Sequence, residues 1–237
     1  MAMARWTSSR RLKVLTLAPN LRKTVIVSVS GVTSALEADR ESATRKHILE
    51  SAQREIDEFG IIGLRLASVA RGANVSIPLI SRYFGSRDGL LAEVLGNWYQ
   101  EFTMRYRDMV DAWVDSAAQI TLEEFAMLSP KPRAPDYRKA REFRLQVLAT
   151  AIENPELRAR ISAITTDSYR WICSVVERGK KKLPAADRNF DARIFTLLLF
   201  NTMYVFTDLV PDADIDDVEY SRFLVNLIRA SSLANSD

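Results

Sequence analysis

Hydrophobic positions along this chain recur three and four residues apart, and the repeat marks out a succession of helices. The first runs from Ser42 or Thr44 to Phe59, with Ala43, His47, Ile48, Ala52, Ile56 and Phe59 on one face and Arg45, Lys46, Gln53, Arg54 and Glu58 on the other. Gly60 ends it as a C-cap, and Ile61, Ile62, Leu64 and Leu66 pack the connection that follows. A long helix starts at Ser86 and carries Leu90, Leu91, Val94 and Leu95 toward Trp98, Phe102 and Tyr106, with no Gly/Ser linker to interrupt it. Ser129 to Asp136, with three prolines, reads as a loop. Beyond it a helix over Tyr137–Glu153 turns Phe143, Val147, Leu148 and Ile152 inward. Asn154-Pro155 restarts the chain into another, through Leu157, Ile161, Ile164, Tyr169, Ile172 and Val176, closed by Gly179 and the run Lys180-Lys181-Lys182. Two last helices span Phe190–Leu209 and Asp216–Ser231. The first of these is apolar on nearly every side, so burial of one face cannot account for it.

Between the first helix and the long one lies LASVARGANVSIPLISRYFGSRDGLL, Leu66 to Leu91. Val69 and Ala70 face inward on a short helix, and Ala73-Asn74-Val75 leaves room only for a sharp reversal. Asn74 suits its pivot, because a short amide tolerates positive φ where most side chains do not. Ser76 caps the next helix and Pro78 sits in its first turn, where a missing N–H costs nothing. Leu79, Ile80, Tyr83 and Phe84 form its buried stripe, and Ile77, Pro78, Ser81 and Arg82 are left facing out. This is helix-turn-helix geometry, in which the second helix offers its N-terminal residues to the major groove. Exposed Ile77 and Pro78 suit contact with thymine methyl groups. Arg65 and Arg87, each at a helix start, stand where the helix dipole also favours a phosphate.

The stretch from about Thr44 to Leu91 resembles the tetracycline-repressor (TetR) family of ligand-responsive transcriptional regulators, through ATRKHILESAQREIDEFG, the SVARGANVS turn and ISRYFGSRDGLL in that order and spacing. The departures are Arg65 where the family usually has Thr or Ser, Asn74 where it usually has Gly, and Ser81 where Tyr is common. The resemblance implies an all-α chain: an N-terminal three-helix helix-turn-helix DNA-binding domain, then a larger helical ligand-binding and dimerisation domain. It places DNA contacts at Ser76, Ser81, Arg82 and Tyr83, and it implies a four-helix dimer interface from the last two helices of each subunit. A two-fold dimer also matches a palindromic operator.

Charge fits this division. Residues 1–39 hold six Lys/Arg against two acids, 40–91 eight against six, and 92–237 nineteen against twenty-two, so a net +6 precedes a net −3. Domains are accordingly expected as a disordered basic extension over 1–39, the DNA-binding domain over 40–91, and the effector-binding and dimerisation domain over 92–237. For the extension, a basic arm reaching phosphates and an export signal are the other readings; its Thr24–Gly31 run has strand-like β-branched content.

One Cys (Cys173) and one His (His47) exclude a disulfide framework, a zinc cluster and a Cys-His or Ser-His pair; no cofactor, metal or catalytic residue is expected. Cys173 reads as a small apolar packing residue. No segment approaches the ~20 apolar residues of a membrane span, and the residue usage fits a reducing cytoplasm. Trp98, Phe102, Tyr106, Phe125, Phe143 and Tyr169 are candidate walls of a pocket for a small apolar or aromatic effector. The expected function is a ligand-released homodimeric repressor on double-stranded operator DNA. Two alternatives stand beside it. One is a helical protein-interaction adaptor; the other is a helical enzyme, for which Glu123, Glu124, Asp208, Asp212 and Asp214 offer acids without a paired base or a phosphate-cradling loop.

Overall fold

The computed structural model describes residues 22–126, 138–202 and 216–234, and every regular element among them is helical. The chain divides into two compact units, residues 1–47 and 48–237. The elements are α1 (Arg22–Gly63), α2 (Leu66–Gly72), α3 (Ile77–Phe84), α4 (Arg87–Met104), α5 (Arg107–Ser116), α6 (Leu122–Ala126), α7 (Arg138–Glu153), α8 (Pro155–Lys180), α9 (Ala192–Thr202) and α10 (Asp217–Ala234), with a 3₁₀ turn at Ala185–Asp187. The loop at 129–136, Tyr137, and the acids at 208, 212 and 214 lie outside the described residues, as do Arg5, Arg10, Arg11 and Lys13.

In the first unit, α1 extends back to Arg22 through the β-branched run at 24–31, since propensity is a weak prior in either direction. His47 and Ala43 are exposed, not on a core face. In the second unit the helical body of α1 ends at Gly60, whose φ of 74° and ψ of 171° break the helix before a final turn to Gly63. Ile48, Ala52 and Ile56 are buried as expected, but Phe59 is 57% and Ile62 95% exposed. The kink at Gly60 turns the stripe, so that Ile61 and Leu64, not Phe59 and Ile62, meet the core.

One core then runs from α1 to α8. Ile48, Val69, Ile80 and Phe84 of the first three helices share it with Leu90, Val94, Leu95 and Tyr99 of α4, and with Val147, Leu157 and Ile161 of α7 and α8. Backbone approach is close at two glycines. A Cβ on Gly89 would stand 2.0 Å from the Phe84 carbonyl oxygen, and one on Gly96 would stand 2.3 Å from Cδ of Arg160. Polar ties join α4 to α8: Asn154 caps α8 by accepting from the Leu157 amide (2.9 Å), while its side-chain amide donates to the Asp88 carbonyl (2.9 Å).

α4 stops at Met104, short of the single helix through Tyr106 that the pattern suggested. No Gly or Pro marks the break; the Thr103 hydroxyl donates back to the carbonyls of Tyr99 and Gln100, a bond that competes with regular helix. α5 is held to α8 through Asp111, which accepts from Trp171 Nε1 and from Arg178. Burial alone would raise the Asp111 carboxyl, but the bonds from Arg178 and Trp171 outweigh it and hold the group below the ordinary aspartate range. That tie is therefore complete above the range and weakens as pH falls below it.

A second core gathers Phe125, Phe190 and Phe195 with Leu199, Leu224 and Ile228 of α9 and α10. α8 closes at Lys180, within the Gly179–Lys182 run as expected, and Gly179 is buried there, where a Cβ would be 2.7 Å from the Phe125 ring. Of the lysine run, Lys182 caps α5, donating to the carbonyls of Val114, Asp115 and Ala117. Ile152, expected inward, is 66% exposed, and the inward position of that turn belongs to Ala151.

Gly89→Ala should destabilise the protein by about 1–3 kcal/mol in urea unfolding, because its obstacle is backbone. Gly96→Ala should cost less, since the Arg160 side chain can swing aside.

Candidate nucleic-acid interface and ligand cleft

The turn at Asn74 is built by two backbone bonds. The Val75 amide donates to the Ala70 carbonyl (2.9 Å) and the Asn74 amide to the Arg71 carbonyl (3.2 Å), the paired pattern of a Schellman motif. Asn74 takes φ 54°, the one positive φ at a non-Gly residue among the described residues. Ser76 then caps α3, its hydroxyl accepting from the Leu79 amide at 3.4 Å, and Pro78 lies in the first turn. α2 packs on α1 at short range. The Ser51 hydroxyl donates to the Val69 carbonyl (3.0 Å), and Gly72 leaves the space that Ser51 fills.

With Ile80 and Phe84 anchored in the core, the opposite side of α3 is open. Ser76, Ile77, Pro78, Ser81 and Arg82 are exposed, Ile77 by 42%. Tyr83 is half-buried against the core, with its ring tilted on Phe84. Arg65 is exposed in the position before α2 and makes no side-chain cap bond.

Arg87 departs from expectation. Its guanidinium turns back to the end of α1, donating to the carbonyls of Ile61 (3.1 Å), Ile62 (3.2 Å) and Leu64 (3.1 Å). These carbonyls follow the Gly60 break, where that of Ile61 accepts only a long bond from the Leu64 amide (3.5 Å), and satisfying them takes the Nε and Nη2 donors of the guanidinium.

The six residues named for an effector pocket do not converge. Trp98 stacks on Phe102 (ring centroids 5.2 Å) and meets Phe143 edge-on (4.6 Å), a cluster that packs α4 to α7. Phe125 lies in the second core against Phe190 and Phe195. Tyr106 is 40% exposed at the break between α4 and α5. Tyr169 alone of the six lines a cleft of about 690 Å³, with Leu148 of α7, Ile161 and Thr165 of α8, and Leu197 and Phe200 of α9.

Beside that cleft lies a polar chain that the pattern reading missed. Arg144, 2% exposed, donates to the Tyr99 hydroxyl at 3.0 Å, and that hydroxyl is 3.2 Å from the Thr165 hydroxyl. The guanidinium also lies over the rings of Tyr99 (5.3 Å) and Phe102 (5.5 Å). A signal was present: Arg144 shares the three-and-four spacing of Val147 and Ala151, which puts a charge on an apolar stripe.

Residues 48–94 match the family described as bacterial regulatory proteins, tetR family. The chain therefore carries a DNA-binding domain of the tetR type over these residues. Among curated relatives, the HTH-type transcriptional regulator BetI of Burkholderia thailandensis is 39% identical over 90 residues, 38% of this chain and 38% of BetI. BetI of Burkholderia cenocepacia is 43% identical over 70 residues, 29% of this chain and 31% of that protein. Thus the likeness to these regulators spans well under half of their length. Across the tetR-type fold the likeness is broader and fainter. A protein from Mesorhizobium loti described as a TetR-family regulator matches at TM-score 0.56 and 15% identity over 82% of this chain and 97% of its own. A regulator from Saccharomonospora viridis crystallised with choline matches at TM-score 0.55 and 22% identity over 79% and 96%. At these identities the match concerns fold alone: a helix-turn-helix unit followed by a larger helical part.

Arg87→Met should lower stability by about 1–2 kcal/mol, because it strips donors from half-buried carbonyls. Thermal unfolding monitored by circular dichroism would read that loss.

Proposed function

We propose that the chain is a cytoplasmic, homodimeric transcriptional regulator, a repressor released from a palindromic operator by a small ligand. The observation that carries this reading is the exposed face of α3. Ser76, Ile77, Pro78, Ser81 and Arg82 stand clear of the core on a helix whose other side is fixed by Ile80 and Phe84. Apolar tips beside hydroxyls and a cation are what a major groove accepts. Arg65 adds a phosphate contact at the start of α2, and Tyr83 adds its hydroxyl at the margin. Arg87 keeps the end of α1 in place and acts on DNA only through that support.

Dimerisation is supported by apolar side chains left open on the last two helices: Ile194 (67% exposed) and Leu197 (52%) on α9, and Val218 and Phe223 (both 63%) on α10. Surfaces of this kind on a separate chain ask for a partner, and a second copy gives the two-fold symmetry that an operator requires. Domain roles follow the proposed division, with reading by residues 40–91 and effector response by 92–237.

The response is a population shift. Effector binding favours a dimer whose α3 helices no longer match successive grooves, and a tenfold loss of occupancy requires a preference of about 1.4 kcal/mol for that state.

In gel-shift titrations, DNA from the promoter region beside the gene should bind in preference to random DNA and more weakly as salt rises. Arg82→Ala should reduce the salt slope by about one unit; binding without sequence preference would refute the proposal. In light scattering the chain should have twice its monomer mass, and Phe223→Glu should shift it toward the monomer. A monomeric native chain would favour the adaptor instead.

A further inference from the structure

We propose that Asn154, which lies far outside the DNA-binding residues 48–94, is a positioning residue for operator binding: its buried side-chain amide holds the first turn of α4 and so sets the angle at which α3 meets the major groove. This rests on the regulator reading and adds to it a residue that acts without reaching DNA.

Both halves of the amide are committed, and their partners fix which half is which. A backbone carbonyl only accepts and a backbone N–H only donates, so Nδ2 faces the Asp88 carbonyl (2.9 Å) and Oδ1 faces the Leu157 amide (2.9 Å). Oδ1 makes Asn154 the cap of α8, and Nδ2 makes it a strut from α8 to α4. The residue is 5% exposed, with Leu157 and Leu90 fully buried, so water has little access to replace either bond. Arg158 closes α7 at the same elbow by donating to the carbonyls of Ala151 (3.1 Å) and Ile152. The end of α7, the start of α8 and the start of α4 thus share one polar junction. α8 goes on to line the cleft with Ile161, Thr165 and Tyr169, which sets the strut between the cleft and α3.

What the strut holds is passed on at the next corner. Only Gly85 and the cap residue Ser86 separate α3 from α4. The Ser86 amide donates to the Phe84 carbonyl (2.8 Å) across Gly85, whose φ of 73° and ψ of −60° make a γ-turn, a rare and strained form. The Ser86 hydroxyl accepts from the Gly89 amide (3.1 Å), and the Phe84 carbonyl oxygen lies 2.0 Å from where a Cβ on Gly89 would stand. The last turn of α3 and the first turn of α4 therefore tilt together. At ~1.5 Å per residue α3 is about 12 Å long, so a tilt of about 5° carries its N-terminal end about 1 Å. Hydrogen bonds to base edges hold over a range of only about 0.5 Å. A tilt that small costs contacts at Ser76, Ile77 and Pro78 while Ile80 and Phe84 stay in the core.

The test sets operator affinity against stability in the full chain. Asn154→Ser keeps an oxygen for the Leu157 amide but is too short to reach the Asp88 carbonyl, whereas Asn154→Ala loses both bonds. Gel shifts use DNA from the promoter region beside the gene, at a temperature where circular dichroism shows every protein folded. Both variants should bind it about tenfold more weakly than the native chain, the scale of one hydrogen bond. Asn154→Ala should unfold at a lower temperature than Asn154→Ser, because it alone loses the cap. The salt slope should stay native in both, since Asn154 meets no phosphate. Thr121→Ala removes the cap of α6, where the Thr121 hydroxyl accepts from the Glu124 amide (3.1 Å). It should unfold earlier and bind the operator normally. Native affinity in Asn154→Ser, affinity losses that follow unfolding temperature across the three variants, or a changed salt slope would each overturn the inference. If the native chain shows no preference for that DNA, the regulator reading fails and takes the inference with it; native preference with Asn154→Ser unaltered removes the inference alone.

Discussion

Burial of α4 on two sides is the constraint on which the larger unit depends. Leu90, Val94, Leu95 and Tyr99 are 0–4% exposed, and they meet the reading helices at one end and α7 and α8 at the other. Full burial of a Leu or Val side chain is worth about 1.5–3 kcal/mol, whereas an exposed ion pair such as Arg138–Glu142 is worth about 0–1 kcal/mol. Packing, not charge, therefore sets where α4 lies. The polar ties from Asn154 and Arg160 fix its register along α8 once the apolar surfaces have met.

The cations of this chain have a second use that a count of charges conceals. Arg87 satisfies carbonyls at the end of α1, Arg158 those at the end of α7, and Lys182 those at the end of α5. In each case a basic side chain from a later segment closes a helix that lacks partners for its last carbonyls. The excess of basic residues before residue 91 thus overstates what is available to a polyanion, because Arg87 is committed within the fold.

How much the sequence disclosed follows from the range of the interactions. The turn at Asn74, the cap at Ser76 and the outward side of α3 are decided by residues within a few positions of each other, so periodicity and cap chemistry sufficed to read them. The α4 break at Met104 has no Gly or Pro to announce it. The effector residues fared worse, because their neighbours are distant in sequence: Phe125 is grouped with Phe190 and Phe195, Trp98 with Phe143, and Tyr169 with Phe200. Aromatic content told that these side chains would be sheltered, but not by which helix. Arg144 was overlooked because a charged residue is assumed to seek water, whereas here aromatic rings and the Tyr99 hydroxyl surround it.

The continuity of the first core also bears on modularity. A chimera made by grafting residues up to 91 onto a foreign helical body would sever Leu90 and Leu91 from Ala92, Val94 and Leu95 of the same helix, and would deprive the Asp88 carbonyl of the Asn154 side chain, which caps α8 and ties it to the start of α4. A transplantable cassette must carry α4 together with the first turn of α8. On the proposed reading, the helix-turn-helix and the helical body behind it would be inherited as one mechanical piece.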